Sequence, residues 1–455
     1  MRRRDFLSRS LAFSALTGLS RGKALAEAST GWAQLPQILA RIVPPVFPDR
    51  DFDVSDFGAV AGGDADSRPA IVAAIAACHE AGGGRVVVPA GIYAVHGPIH
   101  LLSNVNLHIE AGAFLIFGTY AEHYLPVVEV RWQGIRCYNY SPLIYAYRQE
   151  NIAITGLGFL EGQASAAWYL WPAQQNADWN ALQQMAAQGV PVAERVFGRG
   201  HYLRPTFFEP YQCRNVLVEN VTFANSPFWT IHPTFCTNVT VRNVNVFPGV
   251  TNDDGCDPDS CTDVLVEGCS FTTSDDNVSV KAGSGPDAIG LPPCTNIVFI
   301  HCRGLTTADS AFTMGSSTTG NIENVFFEDC IAANCIAAFY IKSNTDLGGS
   351  VQNVWIRSCN VLDCHHLLFL ETDYLGVTGG PSPPLYRNIH MRNVTCSDAL
   401  VSAFRFEGLA ALPIQGVTLA DIAIARAGSL EQIAQTRGLL ATGVTLGGRE
   451  VSISG

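Results

Sequence analysis

One short pattern recurs from residue 215 onward: Asn or Asp, apolar, any, apolar, two of any kind, then Cys or an apolar residue. It starts at Asn215 (NVLVENVTF), Asn238 (NVTVRNVNV), Asp263 (DVLVEGCSF), Asn296 (NIVFIHCRG), Asn324 (NVFFEDCIA), Asn353 (NVWIRSCNV) and Asn388 (NIHMRNVTC). The steps are 23, 25, 33, 28, 29 and 35 residues, with a weaker start at Asn151 and an extension at Gln415. Periods of this length signal a repeat architecture. Alternation of Val, Ile and Phe marks the units as strands rather than helices. A unit of two or three short strands cannot bury its own apolar face, but stacked units can. The chain is therefore expected to be all-β, a single-stranded right-handed parallel β-helix.

The cysteines obey the same period. Cys269, Cys302, Cys330 and Cys359 each follow a repeat start by six residues, and Cys213, Cys236, Cys261 and Cys294 each precede one by two. Equal offsets predict stacked columns of small buried thiols. No Cys-x-x-Cys or Cys/His spacing supports a metal site, and a disulfide at a coil end stays open. Asp66-Ser67-Arg68-Pro69 opens a helix through Cys78 that Gly82-Gly83-Gly84 stops, a cap for the open end of the solenoid. A Trp-rich, helix-compatible stretch at about 164–203 interrupts the repeats as an insertion in one domain spanning 27–455.

The start of the chain has a different character. Arg2-Arg3-Arg4-Asp5-Phe6-Leu7 precedes the weakly apolar run Leu11–Leu19 and a small-residue cleavage site, Ala24-Leu25-Ala26. This is the layout of an export signal of the twin-arginine type over residues 1–26, and it predicts a periplasmic or extracellular protein. Its removal takes six basic residues and one acidic one, so the formal charge moves from -12 to -12 - 5 = -17. No basic stripe remains, which argues against nucleic acid, and no long apolar run predicts a membrane span. Only two lysines survive, Lys281 and Lys342; every other cation beyond residue 26 is Arg.

Both lysines fall on one column of the repeat. Ile231-His232-Pro233, Cys256-Asp257-Pro258, Val280-Lys281-Ala282, Met314-Gly315-Ser316, Ile341-Lys342-Ser343 and Leu370-Glu371-Thr372 recur at the coil period, which predicts that His232, Asp257, Lys281, Lys342 and Glu371 line one face. Just ahead of that column stand Asn252-Asp253-Asp254-Gly255 and, one short coil later, Ser274-Asp275-Asp276-Asn277. Coils stack about 4.8 Å apart, so Asp254, Asp275 and Asp276 should lie within several ångströms of one another. Like charges that close raise at least one pKa. A protonated carboxyl beside an ionised one is what glycoside hydrolysis requires. Aspartates also fill turns by bonding the backbone, and each single Asp admits that structural reading.

These motifs, taken in order, resemble glycoside hydrolase family 28, the polygalacturonase-like pectin hydrolases, over roughly residues 50–425. Asp56-Phe57-Gly58-Ala59-Val60, Gly82 to Gly91 (GGGRVVVPAG) and Leu107 to Ala113 (LHIEAGA) look like the family's cap and first coils. Asn225-Ser226-Pro227-Phe228-Trp229 is similar to the coil before the active site. Asn252-Asp253-Asp254-Gly255 resembles an Asn-Thr-Asp-Gly motif, with Asp253 for Thr, and Asp275-Asp276 resembles the paired-Asp motif. The resemblance implies inverting hydrolysis of α-1,4-linked galacturonate without a cofactor or metal, by a monomer acting on a pectic glycan. It implies Asp275 as general acid, Asp254 and Asp276 on the water, Lys342 on the substrate carboxylate with Lys281 in support, and Tyr374 against the sugar. Asn252, Asp257, His232, Tyr340 and Asp309 join the substrate-binding set.

Two positions depart from the family. Its Gly-His-Gly is replaced here, with Asp309 or Ser310 in place of the His, and its Arg-Ile-Lys reads Tyr340-Ile341-Lys342. Both lost groups favour an anionic substrate, so a branched or modified pectic glycan, or another glycoside, is an alternative substrate. Two further alternatives are a pectate lyase and a non-catalytic glycan-binding β-helix, for which Trp132, Trp168, Trp171 and Trp229 would suit sugar stacking.

Overall fold

The computed structural model describes residues 31–306 and 308–454, so the expected export signal lies outside the described residues. The strands of successive coils pair in parallel within one sheet of 29 strands, a right-handed parallel β-helix that ends in one antiparallel pair, Thr445–Leu446 with Arg449–Glu450. The repeat forms the first wall: Arg214–Glu219, Thr237–Arg242, Thr262–Glu267, Cys294–Ile300 and Ile322–Glu328 pair in that order. Register follows the sequence period. Val216, Val239, Val264, Ile297, Val325, Val354 and Ile389 stand opposite one another, all buried. A slip of one residue would turn each of them outward, so the apolar alternation fixes the pairing.

The first residue of each repeat makes the corner. Asn215, Asn238, Asp263, Asn296, Asn324, Asn353 and Asn388 have φ between 55° and 59°. Asn and Asp tolerate this left-handed region better than other side chains. Their amides also bond along the stack: Asn238 donates to Asn215 at 2.8 Å, Asn296 to Asp263 at 2.8 Å, Asn324 to Asn296 at 3.3 Å and Asn353 to Asn324 at 3.2 Å. Asp263 has no N–H to pass on, and it instead accepts a fork from Arg41.

All fourteen cysteines are free and buried, in agreement with thiol columns rather than disulfides. The cap helix runs Arg68–Glu80 and buries Ala70, Ile71, Ala74, Ile75 and Cys78 against Val86 and Val88 of the first coil. A second helix, over residues 31–41, was not legible as one. It lies outside the first wall, where Trp32, Leu35 and Ile38 pack on Val298, Phe326 and Trp355. The insertion holds a 3-10 turn, Trp168–Ala173, and a helix, Gln175–Ala187. Among the described residues no helix is long and apolar enough to cross a membrane. A second wall runs through Thr222–Ala224, Asn245–Val246, Ser270–Thr273 and Arg303–Thr306, and a third, through Val278–Val280, Phe312–Gly315, Cys335–Lys342 and Asn360–Glu371, carries the candidate site.

Candidate active site

The predicted column is really two. Thr234, Asp259 and Lys281 are paired in sequence, and Gly315, Lys342, Glu371 and Glu407 continue that line. His232 and Asp257 sit two residues earlier, in line with Ser279, Thr313, Tyr340 and Phe369. The alignment by charge had skipped two residues because the coil from Asp257 to Ser279 is short. A shift of two keeps the side-chain face, so both columns still face the same way.

The turn before this wall gathers the aspartates. One oxygen from each of Asp254, Asp275 and Asp276 lies within 4.8 Å of the others. Each carboxylate is held differently. Asp276 is 1% exposed and accepts from Thr313 Oγ1 at 2.8 Å on one oxygen, with Lys342 Nζ at 3.0 Å from the other. Asp254 is 3% exposed, and its Oδ2 accepts from Lys281 Nζ at 3.2 Å. Asp275 is half-buried, the most open of the three; it accepts from the Asp276 amide at 2.8 Å and from Asn252 Nδ2 at 3.1 Å. Asp253 stands apart: it accepts from Ser274 and Gly249 and braces the turn.

Burial, with Asp257 next in weight, holds Asp254 well above the ordinary carboxylate range despite Lys281. Burial likewise pushes Asp257 up to about 6, against the pull of Lys281 and His232. Asp254 and Asp257 thus hold their protons above the pH at which an isolated carboxylate loses one. Burial opposes the ammonium of Lys281, but Asp257 and Asp254 outweigh it and hold its pKa above the lysine range. Lys342 is held up in the same way by Asp276 and Asp309. Both lysines are fully engaged: Lys281 also lies 3.4 Å from Asp257 and 4.3 Å over the Trp229 ring, and Lys342 lies 3.7 Å from Asp309.

Of the two residues that stand for the missing His, Asp309 is the one beside Lys342. It reaches Lys342, and burial followed by Asp276 pushes it up to about 7. Ser310 is fully buried. Tyr340 is no cation substitute at the groove surface. It is 6% exposed, stacks on Phe369 at 4.7 Å and donates to Glu371. Tyr374 is half-buried, with its ring centre 5.4 Å from Lys342 Nζ.

Two predicted substrate contacts are not brought to the groove. His232 and Asp257 are completely buried. His232 sits 3.8 Å from Glu209 and 3.6 Å from Asp259. Burial opposes its charge, yet these two acids outweigh it and raise it to about 9. Asp259 in turn holds the buried Arg131 at 2.9 Å. The sugar-stacking tryptophans are core residues as well: Trp132, Trp168 and Trp229 are 1–2% exposed, and Trp171 is partly buried against the core. Thr313, Asp259, Arg131 and Arg204 were missed by sequence reasoning. Thr313 had a usable signal, one residue before Met314 in a recognised column; Arg204, in a Pro-bounded segment outside any repeat, had none.

The family described as glycosyl hydrolases family 28 matches residues 198–442, and a family described as rhamnogalacturonase A/epimerase, pectate lyase-like, matches residues 52–111. A hyperthermoactive exopolygalacturonase of Thermotoga maritima superposes with a TM-score of 0.85 at 34% identity, over 92% of this chain and 96% of that one. A probable polygalacturonase of Vitis vinifera is 25% identical over 399 residues, 84% of this chain and 75% of its own. The polygalacturonase of Erwinia carotovora shares the fold at a TM-score of 0.69 and 21% identity, over 87% of this chain and 98% of that one.

Proposed function

The chain belongs to glycoside hydrolase family 28, a polygalacturonase-like glycosidase that hydrolyses O-glycosyl bonds, and on that premise we propose that it cleaves a galacturonate-containing glycan with Asp275 as its general acid. The carrying observation is the trio of carboxylates within 4.8 Å, of which Asp275 alone is substantially open. In this reading Asp275 gives its proton to the leaving glycosidic oxygen, Asp254 and Asp276 orient a water, and Asp276, paired with Lys342, takes its proton. A separation this short is nearer that of retaining pairs, about 5–5.5 Å, than of inverting ones. Burial argues the other way. A carboxylate that is 1% exposed and bound at both oxygens is badly placed to attack a sugar carbon, yet it can polarise a water. That supports inversion, which the anomer first formed from an oligogalacturonate would reveal by proton NMR.

Lys342, beside the Tyr374 ring, is proposed to meet the uronate carboxylate, with Lys281 holding Asp254 beneath. A second substrate reading has its own support: both lysines already face carboxylates, and Asp309 adds another. This arrangement suits a modified or branched pectic glycan. New reducing ends from galacturonan, rhamnogalacturonan or xylogalacturonan would choose between the two. Unsaturated uronate in the products would instead mean elimination and defeat both. The segment Arg3-Arg4-Asp5-Phe6-Leu7 supports export by the twin-arginine route, which Lys at both arginines should block.

A further inference from the structure

Arg204 is fully buried. Its guanidinium donates to the Gln175 side-chain oxygen at 3.0 Å, to Pro227 O at 2.8 Å, to Thr251 O and to Asn252 Oδ1 at 2.8 Å. All four acceptors are neutral. Among the described residues no carboxylate lies within ion-pair distance of it, and Phe228 covers its face at 5.0 Å. A buried cation without a contacting anion is costly. Burial lowers it to about 10, and what offsets that burial is Asp253, Asp275 and Asp254, the acids of the site.

The chemistry of Asn252 then has one solution. Arg carries donors only, so the Asn252 oxygen must face Arg204 and its NH2 must face outward. That NH2 is the group 3.1 Å from Asp275 Oδ2. Gln175 begins the inserted helix Gln175–Ala187. A continuous line of hydrogen bonds therefore runs from the insertion through Arg204 and Asn252 to the carboxyl that delivers the proton.

We propose that Arg204 is the positioning residue for Asp275: it locks the Asn252 amide so that one carboxyl oxygen is held, and it gives the aspartate cluster a buried positive charge. The proposal rests on the assignment of Asp275 as the acid. The groups that set the local charge are Asp253 and Asp254 with Asp275 around the guanidinium, and Asp254, Asp276, Asp309 and Lys342 around Asp275.

The test compares Arg204→Lys, Arg204→Met and Asn252→Ala, with melting curves to show folding. Misplacement of a catalytic group costs up to roughly 100-fold in rate. Asn252→Ala should lower kcat by roughly 10- to 100-fold with KM changed less than about threefold. Arg204→Met, which removes a positive charge from among acids, should move both limbs of the pH–rate profile to higher pH. Arg204→Lys should lower kcat with the limbs in place. A folded Arg204→Met enzyme with the parent profile overturns the proposal. If the Arg204 variants do not fold, Asn252→Ala decides, and an unchanged kcat there overturns it. Activity retained in Asp275→Asn would instead remove the acid assignment itself.

Discussion

Two stacks of Asn and Asp run along this solenoid, and they behave in opposite ways. At the corner of the first wall, Asn215, Asn238, Asn296, Asn324 and Asn353 repeat with the coil, and each amide finds a partner one coil away. At the mouth of the third wall, Asp254, Asp275, Asp276 and Asp309 crowd together. A neutral hydrogen bond contributes about 1 kcal/mol. Two ionised carboxylates 4 Å apart repel by about 4 kcal/mol at an effective dielectric of 20. The same repeat device thus adds cohesion in one place and strain in the other. The strained stack persists because Lys281 and Lys342 stand in it and because protons stay on it.

The sharpest way to break the contrast is Asp275→Asn. It removes the proton donor and keeps the side chain's shape, so hydrolysis should fall by about 10³-fold or more while the melting temperature stays within a few degrees. Asp254→Asn should do the same to the rate. A large loss of stability would make these acids structural, like the corner ladder. Next in size is Lys342→Met. It leaves Asp276 buried without its cation, and an orphaned buried charge costs about 3–5 kcal/mol, so the melting temperature should drop. On the proposed reading the rate falls further for acidic glycans than for neutral ones. Equal losses on both would strip Lys342 of a part in substrate recognition.

How much of this was legible follows from what is periodic. The corner asparagines, the thiol columns and the valine register all repeat at the coil length, so the sequence alone placed them. The trio Asp254, Asp275 and Asp276 was legible because adjacent short coils carry it. Lys281 and Lys342 stood out by scarcity, but their register to His232 was misjudged by two residues, since charge was matched where backbone pairing decides. His232 and Asp257 share the site's face yet lie beneath it, and depth does not show in a period. Arg204 reaches the site from outside the repeats, through contacts that no spacing encodes.

A smaller effect probes the cohesive stack. Asn296 has φ 58°, donates to Asp263 and accepts from Asn324. In Asn296→Ala the backbone strain costs about 1–3 kcal/mol and the hydrogen bond to the Asp263 carboxylate about 1.5–3 kcal/mol more. Urea unfolding at pH 7 should show a loss of that order, with kcat at the parent value. A matching loss of activity would mean that the corner and the mouth are coupled through the wall.

The smallest effect belongs to Asp309, and its pH dependence separates the two stacks. Its carboxyl is held at about 7 by burial and by Asp276, against about 3.9 in an unfolded chain. Between those values the folded protein keeps a proton that the unfolded chain has lost. Stability therefore falls as pH rises through this window, and the whole penalty is present above pH 7. Asp309→Asn removes the ionisation. Its melting temperature should exceed the parent's by a few degrees at pH 8 and equal it at pH 4. The gain is small because Lys342 gives up a contact at 3.7 Å while keeping Asp276 at 3.0 Å. A gain of the same size at both pH values would show that Asp309 is ionised throughout, and that the crowded stack sheds its protons no later than isolated carboxylates do.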